Sequence, residues 1–153
     1  MFDNFDFIKI SMAITFFSID KPLQLTDRKK LKHFIVELFN RHEMPLFSVS
    51  YVFCNDEYLL AINKKFLGHV DYTDVITFCL SNKSEPIVGE IYISTQRVKE
   101  NAFLIGVSKK EELHRVIFHG ALHLCGFNDK SPVDKRNMTL AEDELLSLYF
   151  AKN

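Results

Sequence analysis

The sequence predicts an α+β domain with one mixed β-sheet of about four strands, packed by about five helices. Short apolar runs rich in β-branched and aromatic residues alternate with segments whose apolar residues return at helical spacing. Two strand-like runs follow each other at the centre, in the order β-α-β-α-β-β-α-α-α, which favours α+β over a strictly alternating fold. No repeat or Pro/Gly-rich linker interrupts the 153 residues. We therefore expect one domain over residues 1–153.

The first half of the chain carries two strand signals and two helix signals. Residues 13–19 (AITFFSI) and 46–54 (LFSVSYVFC) are apolar and rich in β-formers, and the second run alternates at period two. Between them, Thr26 is a plausible N-cap for a helix that ends near Arg41. Asn55 is expected to cap a second helix directly after the second strand.

The second half of the chain begins with two strands at residues 75–80 and 90–94, separated by a polar turn. Ser94 or Thr95 then starts a helix that ends near residue 104. The last helix of the chain is expected to open at Ser131-Pro132, with serine as the cap and proline at the first helical position.

A capping box marks the helix that lies between these two. Ser108 is the expected N-cap, and Glu111 stands three residues later. The helix is predicted to run to about Cys125 and to stop at Gly126, because glycine adopts the left-handed conformation that ends helices.

Composition limits the classes of function. The formal charge of −1 and the sequence pI of about 6.6 show no basic excess, which argues against a general nucleic-acid binder and leaves a local RNA site possible. Three cysteines with no CxxC pair favour a reducing compartment. The N-terminus lacks the basic region of a signal peptide, and no apolar stretch is long enough to span a bilayer. We expect a cytoplasmic protein without membrane association.

A metal site is predicted at His119, His123 and Asp129. Residues i and i+4 of a helix lie one above the other, so the two imidazoles can share one ion. Gly126 lets the chain fold back, which can return Asp129 to that ion. Two imidazoles and one carboxylate suit one zinc ion per chain, and three protein ligands leave a position open for a water. The competing interpretation involves no metal: the two histidines are ordinary helix residues, Gly126 only caps the C-terminus of the helix, and Asp129 is a turn residue.

Four other residues near the two histidines are not expected to be ligands. His114 and Cys125 lie on other sides of the helix, and we interpret them as a surface or packing histidine and a small hydrophobe. Glu112 and Arg115 lie near the stripe of His119. Either can orient an imidazole, although a solvated charge is an equally good interpretation.

The position after the first histidine separates this site from one class of zinc hydrolase. Zinc proteases of the HExxH type place their general base there, and this chain has Gly120. Zinc alone lowers the pKa of a bound water to about 7, so hydrolysis does not require that glutamate. Asp74 and Glu90 are candidates, by position only, for a base supplied by another segment.

At these residues the sequence resembles the YbeY family of bacterial endoribonucleases. HGALHLCGFND (residues 119–129) is similar to that family's H-G-x-L-H-L-x-G-x-D-H signature. Residues 63–66 resemble its N-x-x-[YF] segment, residues 73–78 its T-D-V-L-S-F segment and residues 89–93 its G-D-I-x-I strand, all in family order.

The resemblance implies a zincin-like fold and a single-strand-specific, zinc-dependent endoribonuclease. Its implied work is maturation of the 3′ end of 16S rRNA and ribosome quality control, with the 16S rRNA precursor and the ribosome or its small subunit as partners. Two departures from the family pattern matter for the site. Asp129 stands where a third histidine is usual, and Leu67 stands where an arginine thought to act on the substrate phosphate is usual. His69 is a possible substitute for that arginine, or an ordinary loop histidine.

Two other functions stay open. A zinc hydrolase of a peptide or another ester is favoured if a carboxylate of a different segment lies beside the metal. A non-catalytic ribosome-associated factor with structural zinc is favoured if a fourth protein ligand closes the site.

Overall fold

The structure is a computed structural model and describes residues 13–151. The N-terminal segment in which no signal peptide is expected lies outside these residues. The strands are β1 (Ile14–Ser18), β2 (Leu46–Cys54), β3 (Val75–Cys79) and β4 (Ile87–Ser94). The helices are α1 (Arg28–Arg41), α2 (Asp56–Ile62), α3 (Thr95–Ile105), α4 (Lys109–Leu124) and α5 (Pro132–Tyr149), and a π-helical turn (Asn63–Leu67) follows α2.

The sheet is mixed and has the order β1-β2-β4-β3. β1 and β2 pair in parallel, β2 and β4 pair in parallel, and β3 runs antiparallel to β4 at the edge. Four strands with five α-helices in the described range confirm the predicted α+β class. None of the helices in that range combines the length and the apolar character that crossing a membrane requires.

Most element boundaries agree with the sequence, and two do not. The prediction of Thr26 as the first N-cap is wrong: Asp27 holds that position, in the left-handed conformation (φ 51°) and without a side-chain cap bond, and α1 starts at Arg28. β4 starts at Ile87, three residues before the expected start. The reason is tertiary, because Ile87 donates to the carbonyl of Pro45 at 2.7 Å and so extends the ladder with β2.

The serine and asparagine caps follow the prediction. Each side chain accepts a hydrogen bond from the backbone N–H three residues later, which satisfies one of the donors left free at a helix start. These caps are Asn55 for α2, Ser94 for α3, Ser108 for α4 and Ser131 for α5.

One face of the sheet carries α1, α4 and α5 and forms the main core. Tyr51 of β2 is fully buried there and donates to the carbonyl of Ile117 in α4 at 2.9 Å. The other face carries a smaller apolar cluster beneath α2, formed by Cys54, Leu59 and Ile76.

Helix α4 lies unusually close to β4. A Cβ atom at position 120 would lie 2.7 Å from Cγ2 of Ile91, a separation that packed side chains do not tolerate. Gly89 makes a similar approach to Leu124, where a Cβ would lie 2.6 Å from Cδ1. The two glycines let the backbone of α4 settle directly on the strand.

Candidate metal centre

The structure brings the three predicted ligands together beside α4. The Nε2 atoms of His119 and His123 are 3.0 Å apart, and Oδ2 of Asp129 lies 3.4 Å from the first and 3.2 Å from the second. Four-coordinate zinc holds its ligands at about 2.0–2.2 Å, which sets neighbouring donors about 3.3 Å apart. The triangle of donors therefore has the size that a single metal ion needs.

The end of α4 explains how Asp129 reaches the histidines. Gly126 has a φ of 97°, in the left-handed region that glycine adopts without strain. The N–H of Phe127 then donates back to the carbonyl of Leu122 at 3.1 Å, which closes the end of the helix. The reversed chain carries Asp129 back along the helix towards His123.

Both imidazoles are oriented through their other nitrogen. Nδ1 of His123 lies 2.9 Å from the carbonyl oxygen of Phe127, and Nδ1 of His119 lies 3.3 Å from Oε2 of Glu142. A carbonyl only accepts, so Nδ1 of His123 carries the proton and its Nε2 presents a lone pair. The same holds for His119 beside the Glu142 carboxylate. Two lone pairs and a carboxylate oxygen converge at about 3 Å, an arrangement that a cation stabilises.

Glu142 is a site residue that the sequence reasoning missed. Its side chain is buried, and Arg115 donates to its Oε1 at 3.5 Å while also pairing with Asp143 at 2.9 Å. Burial opposes protonation of His119, but the hydrogen bond and charge of Glu142, with the charges of Asp129 and Asp74, raise its pKa. A signal was present in the sequence, because Glu142 stands within the apolar stripe of α5 between Met138 and Leu145.

Asp74, one of the two candidate bases, lies beside the site. It immediately precedes β3, is half-buried, and accepts a hydrogen bond from Asn101 at 3.4 Å. Burial raises the pKa of its carboxyl, and the nearby charge of His119 opposes that rise. The structure thus places a carboxylate of a different segment within electrostatic reach of a candidate ligand.

Glu90, the other candidate base, faces away from the site. Its neighbours Gly89 and Ile91 meet α4, so the period-two alternation of β4 turns Glu90 to the opposite face of the sheet. There its carboxylate accepts a hydrogen bond from the Tyr92 hydroxyl at 2.8 Å. Gly120 is likewise no place for a base, because its Cβ direction is filled by Ile91.

Comparison with known proteins identifies the family of this chain. A family model described as Endoribonuclease YbeY matches residues 15–149. The chain belongs to the YbeY family. Proteins named Endoribonuclease YbeY include one from Cytophaga hutchinsonii, 43% identical over 136 residues that cover 89% of this chain and 95% of the relative. One from Porphyromonas gingivalis is 41% identical over 87% of each chain, and one from Flavobacterium psychrophilum is 50% identical over 68% of this chain and 74% of its own.

A solved structure has a fold similar to that of this chain. The solution structure of TM1509 from Thermotoga maritima covers 90% of this chain and 89% of its own, with a TM-score of 0.58 and 22% sequence identity. The resemblance inferred from the motifs is confirmed by these comparisons. Within the family pattern, Asp129 takes the position usual for a histidine, and its oxygen lies at the third corner of the donor triangle.

Three other residues in or next to α4, namely His114, Glu112 and Cys125, do not join the triangle. His114 is buried, and its ring stacks on Tyr149 with centroids 5.0 Å apart, which confirms the packing interpretation. Cys125 packs against the main core, and burial raises the pKa of its thiol to about 12. Glu112 is buried and lies 3.8 Å from Arg115, and among the described residues no hydrogen bond or ion pair joins it to an imidazole. Within residues 13–151, no fourth ligand completes the cluster.

The phosphate-binding residues stay a prediction. Leu67 ends the π-helical turn and is exposed, and His69 lies two residues later in an exposed loop. The backbone N–H of His69 donates to the carbonyl of Asn63 at 3.3 Å. Across the part of the chain that the structure describes, no hydrogen bond or ion pair links the His69 side chain to the donor triangle.

Proposed function

We propose that this chain is a zinc-dependent endoribonuclease that cuts single-stranded RNA. Its proposed role is maturation of the 3′ end of 16S rRNA and ribosome quality control in the cytoplasm. The observation that carries the proposal is the open triangle of His119, His123 and Asp129 in a chain of the YbeY family. Its three donors lie 3.0–3.4 Å apart, and the Asp129 side chain is 41% exposed, so a substrate can approach from that side.

Zinc is the metal that this donor set fits best. Two neutral imidazoles and one carboxylate, with a position left open, are the usual ligands of catalytic zinc. The bond from His123 to Phe127 and the bond from His119 to Glu142 fix both rings before any ion arrives. Zinc held there supplies a Lewis acid for a phosphate oxygen and activates a water for attack.

Asp74 is the residue that we propose for proton transfer. Asn101 donates a hydrogen bond to its Oδ2, and burial raises the pKa of its carboxyl, a direction that strengthens a carboxylate as a proton acceptor. In this role Asp74 takes the proton of the attacking water. Glu142 acts through His119, whose ring it orients, and Arg115 keeps Glu142 in place.

A hydrolase of a peptide or another ester is the second candidate, because Asp74 is a carboxylate from another segment beside the site. RNA is preferred on family membership and because Gly120 is packed against Ile91, which leaves no room for the protease-type glutamate. The structural-zinc alternative is disfavoured, since the described residues supply three ligands and structural zinc sites are closed by four.

Contact with phosphate is expected to be weak on free RNA. Leu67 supplies no charge, the formal charge of the chain is −1, and His69 is our proposed substitute for the family arginine. We therefore propose that the ribosome or its small subunit acts as a scaffold that presents the 16S rRNA precursor.

The test is a matched assay of the wild type and His123→Ala on a short RNA that ends in 16S-like sequence, with casein as a second substrate. We expect zinc-dependent cleavage of RNA by the wild type alone, with activity falling below about pH 7 as the activated water keeps its proton. His69→Ala should slow cleavage without changing zinc content. Equal cleavage by both proteins would indicate a contaminating nuclease, and cleavage of casein would favour the second candidate.

A further inference from the structure

Two aromatic side chains stand out from the surface between α2 and β3. Phe66 is 58% exposed and Tyr72 is 54% exposed, although rings of this size are usually covered. Each has a cation over its ring: Nζ of Lys65 lies 5.2 Å from the Phe66 centroid, and Cζ of Arg97 lies 5.3 Å from the Tyr72 centroid. We call these four residues the aromatic surface.

The loop that carries these rings is fixed by one buried side chain. Asn63 is 4% exposed, and its amide donates to the carbonyl of Asp71 at 2.9 Å. The backbone carbonyl of Asn63 accepts a hydrogen bond from the backbone N–H of His69 at 3.3 Å. Phe66 also packs edge-on against Phe78 of β3, with centroids 5.7 Å apart. The rings are therefore presented on a closed loop, which lowers the entropy lost when a ligand binds.

Helix α3 joins the aromatic surface to the metal centre. Arg97 and Asn101 lie one turn apart on the same side of α3. Arg97 covers Tyr72, and Asn101 donates to Asp74, which acts electrostatically on His119. Tyr72 precedes Asp74 by two residues, so their Cα atoms are at most about 7 Å apart. A strand lying on Tyr72 is therefore close to Asp74, the residue proposed for proton transfer.

The charges around Tyr72 favour a stacked base over an apolar protein partner. Arg97 is held against the ring by Asp56 at 2.9 Å and by Glu100 at 3.0 Å. It therefore serves as a fixed backing for a ring that is still 54% exposed. Lys64 and Lys65, in the π-helical turn, supply positive charge for a backbone beside the rings. Exposed rings next to cations are the means by which proteins hold single strands.

We propose that the aromatic surface stacks bases of single-stranded RNA and leads the strand to the metal centre, with Tyr72 and Phe66 as the stacking residues. The nature of the ligand rests on the proposed function. The surface explains how a chain without a basic excess can hold RNA locally, through stacking in addition to charge.

The test measures RNA binding separately from cleavage. In a His123→Ala background, fluorescence anisotropy of a labelled single-stranded RNA is compared with that of the same protein carrying Tyr72→Ala, Tyr72→Phe or Phe66→Ala. Phe47→Ala is the matched control, because Phe47 is 70% exposed at the start of β2, the other end of the sheet. We expect Tyr72→Ala and Phe66→Ala each to weaken binding about five-fold or more, and Tyr72→Phe and Phe47→Ala to leave it unchanged.

A set of RNAs with one abasic position each distinguishes stacking from a structural effect. The loss caused by Tyr72→Ala should disappear on the RNA that lacks the stacked base. Three outcomes would overturn the inference. The Tyr72→Ala protein could bind RNA as tightly as its parent, its loss of affinity could persist on every abasic RNA, or none of the proteins could bind RNA. If the wild type does not cleave but binding still depends on Tyr72, the proposed function fails and the aromatic surface stands.

Discussion

Oε2 of Glu142 lies 3.3 Å from Nδ1 of His119, which ties a candidate metal ligand on α4 to a buried carboxylate on α5. Arg115, itself on α4, reaches across to the other oxygen of the same carboxylate at 3.5 Å. The two helices therefore share a charged contact at the point where the site is built. Glu142 is buried and has no solvent shell to compensate for losing either partner.

Glu142→Gln should lower zinc affinity about 10- to 100-fold, because the amide no longer fixes the tautomer and direction of the His119 ring. The measurement is competition with a chromogenic chelator at equilibrium. Glu144→Gln is the control, since Glu144 lies on the same helix and only pairs with Arg41 at the surface. Unchanged affinity in Glu142→Gln would show that the contact does not position His119.

Asp129→Ala should lose most of its zinc, whereas Asp129→His should keep about one ion per chain. The donor triangle has one corner at Oδ2 of Asp129, and an imidazole is an equally competent ligand there. Metal content after dialysis, measured by mass spectrometry, gives the answer, with His119→Ala and His123→Ala expected to resemble Asp129→Ala. Stoichiometric zinc in Asp129→Ala would mean that the third ligand lies elsewhere.

Chelation should leave the fold intact. The main core lies between the sheet and α1, α4 and α5, and its buried residues do not include the three ligands. We expect the far-UV circular dichroism of the protein to be the same with and without EDTA at room temperature. The thermal midpoint should fall modestly, as removal of a bound ligand requires. Loss of the helical signal on chelation would contradict this expectation.

His114 should make the protein less stable in mild acid. Burial lowers the pKa of its ring, helped by the charges of Lys110 and Lys30 and opposed by its bond to the Lys110 carbonyl. As the pH falls below about 6.5, the pKa of an unfolded histidine, the unfolded chain binds a proton more readily than the folded protein does, which favours unfolding. The stability associated with the neutral His114 ring is therefore fully present above that pH and is lost as the pH falls below it.

The check is urea unfolding of the wild type and His114→Phe at about pH 7.5 and about pH 5.5, in EDTA so that metal loss does not contribute. Phenylalanine keeps the aromatic contacts with Tyr149 and Phe118 but cannot be protonated. The free energy of unfolding should drop less between the two pH values in the variant. An equal drop in both proteins would assign the acid sensitivity to other groups.

The sequence was sufficient for the parts of the site that local geometry decides. His119 and His123 share a face because both belong to one helix, and Gly126 reverses the chain because its conformation is set by its own backbone. Asp129 follows Gly126 by only three residues, so the chain reversal leaves few positions where its side chain can lie. Motif order across the chain then identified the family.

Contacts between distant elements were beyond this reasoning. Glu142 meets His119 because α5 packs on α4, and periodicity does not say which helices are neighbours. Asp74 and Glu90 were indistinguishable in the sequence, since the choice depends on which face of β4 the helix covers. The start of α1 at Arg28 was missed for a smaller reason. Asp27 precedes the helix in the left-handed conformation and without a side-chain cap bond, whereas N-cap residues are usually extended and cap with their side chain.

The contact between Gly120 and Ile91 also bears on which ion the protein carries. Because residue 120 has no side chain, the backbone of α4 packs directly against β4. The distance of both imidazoles from the sheet is therefore set by this packing. The packing of α4 on β4 therefore positions the two imidazoles, whereas the third donor, Asp129, comes from the turn that follows the helix. Divalent first-row metals would all meet the same pair of imidazoles, so the identity of the resident ion in a cell follows the type and geometry of the ligands and the metal supply, and not affinity alone.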